Sequence, residues 1–119
     1  MLTYYETYSF ISEVIKNYPE IHFDFHGHND YDLSVANAME AVRAGCHGLH
    51  LTINGMGERA GNTPMASTVA SLKDFLPDVK ININESSLYK VSKLVATFTG
   101  FRIPAVSYTH LTLPTIYSV

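Results

Sequence analysis

Two histidines lie two residues apart in the segment 25–30, which reads Phe-His-Gly-His-Asn-Asp. Apolar and polar residues alternate from Ile21 to His28, which is typical of a β-strand. Because side chains two residues apart in a strand point to the same side, His26 and His28 could converge on one cation. Neutral imidazole is a common metal ligand, so the pair predicts one half of a metal site. An amphipathic strand with surface histidines explains the pair alone equally well.

Helical and strand patterns alternate around this segment. Apolar residues recur at helical spacing in four stretches, and each stretch is bounded by capping residues, glycine or proline. The predicted order is a helix from the Thr3 cap to Pro19, a strand at 21–28, a helix from Asp30 or Asp32 to Gly45, a strand at 49–54, a loop at 55–62, a helix from Thr63 to Pro77, a short alternating piece at 79–83, a helix from Ser86 to Gly100, and a linker that starts at 101–105.

The two strands share one polarity pattern and are separated by one helix. A strand, crossover helix and strand in one sheet must run parallel. Parallel strands are usually apolar on both faces, whereas these two have one polar face each. Polar inner faces suit a (β/α)8 TIM barrel, whose active-site residues lie at the carboxyl ends of the strands. The predicted fold class is therefore α/β, with parallel strands and flanking helices that suit the βα units of such a barrel.

Composition and charge exclude several classes of protein. The 119 residues are 46% hydrophobic and 16% charged, which is ordinary for a globular domain. A net charge of −3 without any basic cluster argues against nucleic acid or an anionic membrane as the main partner. No apolar stretch approaches the roughly 20 residues of a membrane helix, and residues 1–6 do not resemble a signal peptide. The single Cys46 excludes an internal disulfide, so we expect a cytoplasmic protein.

A glycine-rich loop at 55–62 follows the second strand, at the same end of the sheet as the histidines. Gly55 and Gly57 begin a G-x-G pattern, but Ala60 stands where the third glycine of a dinucleotide-binding motif would be. Nucleotide binding is therefore weakly supported. A solvated loop with a Glu58–Arg59 charge pair is the simplest interpretation of this stretch by itself.

The motifs taken together resemble the 2-isopropylmalate synthase family. The resemblance rests on His-Gly-His-Asn-Asp at 26–30, Ala-Asn at 36–37, Ala-Gly at 44–45 and Thr-Ile-Asn-Gly-Met-Gly-Glu-Arg-Ala-Gly-Asn at 52–62, in that order, and spans most of 21–105. In that family these motifs occupy the last two strands of a TIM barrel. Homocitrate, citramalate and Re-type citrate synthases share much of the pattern, whereas acyl-CoA lyases share the histidines but have a different loop.

The resemblance implies a Claisen-type condensation of acetyl-CoA with a 2-keto acid, 2-oxoisovalerate giving 2-isopropylmalate for leucine biosynthesis. It implies His26, His28 and Asn62 as ligands of a divalent Mg, Mn or Zn ion that acts as a Lewis acid. Gly55, Gly57 and Glu58 would lie near acyl-CoA or substrate, and Asn29, Asp30 and Glu58 would order the site. The family's aspartate ligand, its arginine and its acid and base groups have no counterpart here, so no catalytic residue is assigned. The parent protein is expected to be a homodimer.

The resemblance also divides the chain. Residues 1–105 correspond to the C-terminal part of the barrel domain and the start of its exit linker. Residues 106–119 have no family counterpart, and 106–115 read as the conceptual translation of a transposon adapter used in sequencing libraries. We therefore interpret 106–119 as a non-native tail and leave His110 out of the ligand set.

A rival hypothesis belongs to another class. The chain could be a small α/β module that binds a metal or a partner without catalysis. Such a module should supply its own third ligand, and no further carboxylate has an obvious spacing for that role.

Overall fold

The computed structural model describes residues 2–117, with side chains over 2–112. Met1, where the predicted barrel segment 1–105 begins, lies outside this part. Ser118 and Val119, where the predicted tail 106–119 ends, also lie outside it. The elements are α1 (Tyr4–Asn17), β1 (Asp24–His26), α2 (Ser34–Arg43), β2 (Gly48–His50), α3 (Met65–Phe75), α4 (Leu88–Thr99) and α5 (Ala105–Tyr117), with single 3-10 turns at Asp30–Asp32, Ile53–Gly55 and Glu85–Ser87.

The two strands form a parallel two-stranded sheet with α2 as the crossover. Asp24 pairs with Gly48, Phe25 with Leu49 and His26 with His50. Helix α1 packs on α2, and α2 packs in turn on α3. The structure confirms the expected α/β class, with parallel strands and flanking helices.

Helix α1 illustrates how the local sequence sets an element. The backbone N–H of Thr3 donates to Glu6 Oε2 at 3.2 Å, which satisfies one of the free donors at the helix start. The helix buries Thr7 and Ile11 and ends at Asn17, two residues before Pro19. In α2, Ala38 and Ala41 are fully buried, so the neighbouring helices can approach closely. None of the helices in the described part is long and apolar enough to cross a membrane.

Both strands are shorter than the alternating patterns predicted. The chain after His50 reaches only an isolated bridge from Thr52 to Pro64 and then turns, so Asn54 leaves the polar face of β2. Asn54 is instead buried, and its Nδ2 donates to the carbonyl oxygen of Ser92 in α4 at 3.0 Å. The alternating piece at 79–83 forms no strand, because no neighbouring strand offers it a partner in the described residues.

Helix α5 covers the segment interpreted as an adapter-derived tail. It lies against α3 and α4, and the ring of Tyr108 meets that of Tyr89 at a centroid distance of 6.1 Å. Ser107 and Leu111 of this segment are buried. This packing does not reveal the origin of the codons, so the non-native tail stays a prediction.

The origin of the tail can be tested at the level of DNA. We predict that amplification of this locus from source DNA gives a reading frame that departs from the present sequence at about residue 106, as expected of an adapter-derived segment. Sequencing of the amplified product is the measurement. A product that encodes 106–119 in frame would make the tail native and would overturn this interpretation.

Candidate metal centre

His26 and His28 face each other at the end of β1. Their Nε2 atoms are 3.3 Å apart, and their rings meet edge to face at a centroid distance of 5.1 Å. Two nitrogens that are each roughly 2.1 Å from a shared cation subtend an angle of about 100° at this separation. That angle lies between the ligand–metal–ligand angles of octahedral and tetrahedral coordination. The alternation of the strand therefore brings two imidazole nitrogens to one point, as the sequence predicted.

Backbone contacts hold Asn62 beside this pair. His28 and Asn62 form an isolated antiparallel bridge, and the N–H of Asn29 donates to the carbonyl oxygen of Gly61 at 2.8 Å. The hydroxyl of Thr63 donates to the carbonyl oxygen of Gly27 at 3.2 Å. The loop after β2 is thereby fixed to the residues that follow β1.

The side chain of Asn62 carries a buried oxygen in the loop that lies next to this pair. Its Oδ1 is buried and has no hydrogen-bond partner in the described part of the chain, and the same is true of His28 Nδ1. Gly57 makes room for the amide, since a Cβ there would lie 2.6 Å from Asn62 Cγ. A buried carbonyl oxygen without a donor is costly, whereas a cation would satisfy it. These donors fit a divalent cation that accepts both nitrogen and oxygen ligands.

The set is incomplete as a cation site. Within residues 2–112, no three side chains of His, Cys, Asp or Glu are placed so that they could hold a metal ion together. Two imidazoles and one amide oxygen leave room for further ligands, because a Mg or Mn ion usually takes six.

An ion pair closes the loop over this region. Arg59 donates from two nitrogens to the two carboxylate oxygens of Asp30, at 2.6 and 3.2 Å. The hydrogen bond and charge of Arg59 lower the pKa of Asp30 below its ordinary value. Arg59, which has a left-handed backbone (φ 55°), thus pairs with Asp30 and not, as the solvated-loop alternative assumed, with Glu58.

The other predicted residues of this region have distinct places. Asn29 caps α2, since its Oδ1 accepts hydrogen bonds from the hydroxyl of Ser34 at 2.6 Å and from the Ser34 N–H at 3.3 Å. The carbonyl oxygen of Gly55 accepts the N–H of Asn62 at 3.0 Å. Glu58 is exposed. Whether Gly55, Gly57 and Glu58 contact acyl-CoA stays a prediction.

Sequence reasoning placed Asp24 on this polar face but assigned no role to it. Asp24 accepts a hydrogen bond from His22 Nε2 at 2.7 Å and another from His50 Nε2 at 3.3 Å. These bonds, that from His22 foremost, lower the pKa of Asp24. Alternation placed His22 and Asp24 on one face, but only the register of the sheet brings His50 to them.

With this geometry established, comparison with known proteins identifies the family. Residues 1–95 match the family model described as HMGL-like. The chain belongs to the HMGL-like family. It is 40% identical over 104 residues to a 2-isopropylmalate synthase of Pyrococcus furiosus, covering 85% of this chain and 21% of that protein. It is 38% identical over 100 residues to a 2-isopropylmalate synthase of Sulfolobus acidocaldarius, covering 84% and 26%.

A third relative carries a different name. The chain is 49% identical over 75 residues to a protein of Methanothermobacter thermautotrophicus named as an (R)-citramalate synthase, covering 63% of this chain and 15% of the relative. This HMGL-like chain thus spans about a quarter or less of the length of these curated relatives.

Solved structures support the fold. An HMG-CoA lyase from Acinetobacter baumannii, in complex with coenzyme A and 3-methylmalate, superposes with a TM-score of 0.76 at 20% identity and covers 88% of this chain and 36% of that one. An HMG-CoA lyase of Bacillus subtilis gives a TM-score of 0.74 at 18% identity, covering 87% and 36%. At this identity the likeness shows the fold, two βα units of the HMGL-like barrel type.

The ion pair between Asp30 and Arg59 predicts local order in the loop. In an Arg59→Ala variant we expect faster hydrogen exchange at the amides of Asn29 and Asn62, since the bridge between loop and strand end then opens more often. The overall stability should change little, because the pair is exposed. Exchange monitored by NMR is the measurement.

Arg43→Ala serves as the matched control. Arg43 forms an exposed ion pair with Glu40 at 2.9 Å on α2, away from the loop. Its replacement should leave both amides as they are. Unchanged exchange in Arg59→Ala would show that the ion pair does not hold the loop.

Proposed function

We propose that the chain is part of an acetyl-CoA-dependent 2-keto acid synthase that condenses 2-oxoisovalerate with acetyl-CoA to give 2-isopropylmalate. The observation that carries the proposal is the approach of His26 and His28 Nε2 to 3.3 Å, beside the unpartnered oxygen of Asn62. This arrangement occurs in an HMGL-like chain whose relatives include 2-isopropylmalate synthases. Synthase activity, cytoplasmic location and a homodimeric state belong to the whole parent protein.

His26, His28 and Asn62 would hold the divalent cation. When bound, the ion would supply Lewis acidity toward the keto oxygen of the substrate. The two imidazoles are neutral donors, so they leave the positive charge of the cation available to the substrate. The Asp30–Arg59 pair and the bridge from His28 to Asn62 would keep the ligands in place before the substrate arrives.

The loop at 55–62 would also contribute to the site. Gly57 has no side chain, so the loop backbone lies directly against the Asn62 amide and would hold it near the cation. Glu58 is exposed beside it and would be available to the acyl-CoA. The acid and base groups and the remaining ligands would come from parts of the parent protein beyond this chain.

A second candidate is citramalate synthesis, favoured by the relative named as an (R)-citramalate synthase at 49% identity. The two reactions differ in the keto acid, because the carbon skeleton of citramalate requires pyruvate. Assays of the full-length parent with each keto acid separate them. Release of CoA with pyruvate but not with 2-oxoisovalerate would replace the first candidate by the second. Homocitrate and Re-type citrate synthesis are tested in the same assay with their own keto acids.

The ligand assignment predicts the effect of three substitutions in the full-length parent. His26→Ala or His28→Ala should nearly abolish turnover and leave the fold intact, because each removes a cation ligand and little buried apolar area. Asn62→Ala should have a smaller effect. Turnover, metal content and circular dichroism are the measurements. Near-normal activity with unchanged metal content in either histidine variant would refute the assignment.

The isolated chain should have no synthase activity. It holds at most two imidazoles and one amide near a cation, and cation binding without groups that stabilise the transition state does not accelerate a reaction. The purified chain with acetyl-CoA, a 2-keto acid and Mg or Mn should release no CoA above background, as followed with a thiol reagent. Sustained release that depends on the keto acid would contradict this expectation. A parent gene without an upstream barrel would instead favour the non-catalytic module.

A further inference from the structure

A second polar cluster lies next to the proposed cation ligands on the same face of the sheet. Its centre is Asp24, whose carboxylate accepts one hydrogen bond from His22 and one from His50. Gly48 is the register partner of Asp24 on β2, and a Cβ at that position would overlap the Asp24 carboxylate. The sheet therefore makes room for this carboxylate. Its two hydrogen bonds come from His22, just before β1, and from His50 in β2.

His50 links this cluster to the cation ligands. It is the register partner of His26, and the two rings meet at a centroid distance of 5.6 Å with an angle of 66° between their planes. The Nε2 of His50 donates to Asp24 at 3.3 Å, so this nitrogen is not directed at the pair of His26 and His28. The hydrogen bond to Asp24 thus fixes the His50 ring in its position next to His26.

The side chain of His26 is exposed, so neighbouring rings are needed to restrict its orientation. The ring of His28 lies on one side of it and the ring of His50 is its other aromatic neighbour in the described residues. An imidazole that must present Nε2 in one direction loses rotamer freedom on binding a cation. A neighbouring ring that already restricts the rotamer reduces this loss.

The cluster does not provide a cation site of its own. No three of its side chains are placed to hold a metal ion in the described part of the chain. The two oxygens of Asp24 are instead each engaged by a different histidine N–H. This arrangement suits the support of a neighbouring ligand.

We infer that Asp24 and His50 are positioning residues, and that Asp24 acts through the ring of His50 to hold His26 in the orientation that binds the cation. The inference rests on the proposed function, since it takes His26 as a ligand. Removal of a hydrogen-bonded group behind a metal-binding imidazole typically weakens metal binding about 10- to 100-fold. His26 meets His50 through a ring contact and not a hydrogen bond in the described residues, so Asp24→Ala and His50→Ala should weaken binding by about tenfold, the lower end of this range.

Cobalt binding by the metal-free full-length parent tests the inference. Co²⁺ is an optically visible substitute for Zn²⁺, and the portion of the absorption change that His26→Ala removes reports on the proposed site. Asp24→Ala and His50→Ala should each weaken this portion of binding by about tenfold. The double variant should be no weaker than either single variant, because both changes remove one support. Circular dichroism and the melting temperature should stay close to those of the parent chain.

Two further variants separate positioning from other effects. Asp24→Asn keeps an oxygen that accepts the N–H of His50 but removes the charge, so it should retain most of the cobalt affinity. His47→Ala is the control, because His47 stacks on His22 at a centroid distance of 4.8 Å and has no hydrogen bond to Asp24 in the described residues. It should bind cobalt like the parent chain.

Each contrary outcome has a definite meaning. Additive losses in the double variant would show that Asp24 and His50 act independently. An Asp24→Asn variant as weak as Asp24→Ala would show that Asp24 acts by its charge. Either result would overturn the positioning role alone. Cobalt binding that is unaffected by His26→Ala would overturn both the ligand assignment and the inference. Unchanged affinity in His50→Ala would show that His26 needs no support from this ring.

Discussion

The register of two short parallel strands decides where the polar side chains of this molecule meet. Only three residue pairs join β1 to β2, and one of them places His26 opposite His50. A shift by one residue would turn every side chain of one strand to the opposite face. The contact of His26 with His50, the Asp24 cluster and the space above Gly48 all require this one alignment.

A second set of contacts converts the strand end into a site. The backbone bridge from His28 to Asn62 and the bond from Thr63 to Gly27 join two segments that are more than thirty residues apart in sequence. Most of these contacts use backbone atoms, so they constrain the shape of the loop and leave its side chains available. Asn62 can therefore present a buried oxygen without a protein partner.

Local patterns in the sequence were sufficient for the main elements of the fold. Alternation predicted that His26 and His28 share a face, and helical spacing predicted α1 to α4 because capping and apolar periodicity act over a few residues. Strand ends were predicted less well. Alternation continues past His50, but the turn at Ile53–Gly55 and the burial of Asn54 under α4 depend on a hydrogen bond to Ser92, which no local pattern reveals.

Contacts between distant residues explain the remaining differences. The solvated-loop alternative paired Arg59 with its neighbour Glu58, yet its partner is Asp30, which lies 29 positions earlier. The contact of His50 with Asp24 and the packing of α5 on α3 likewise depend on tertiary structure. The role proposed for Asn62 comes from the family resemblance, because spacing by itself did not indicate it.

The left-handed residues around this site have a consequence for protein engineering. Four residues other than glycine have φ between 55° and 60°: Tyr31, Asp32, Asn54 and Arg59. Left-handed backbone costs roughly 1 to 2 kcal/mol for most residue types, so glycine would relieve it at each position. At Asn54 and Arg59 the same exchange would delete the side chain that joins the loop to α4 or to Asp30. Substitutions to glycine that relieve this strain should therefore begin at Tyr31, which is 86% exposed.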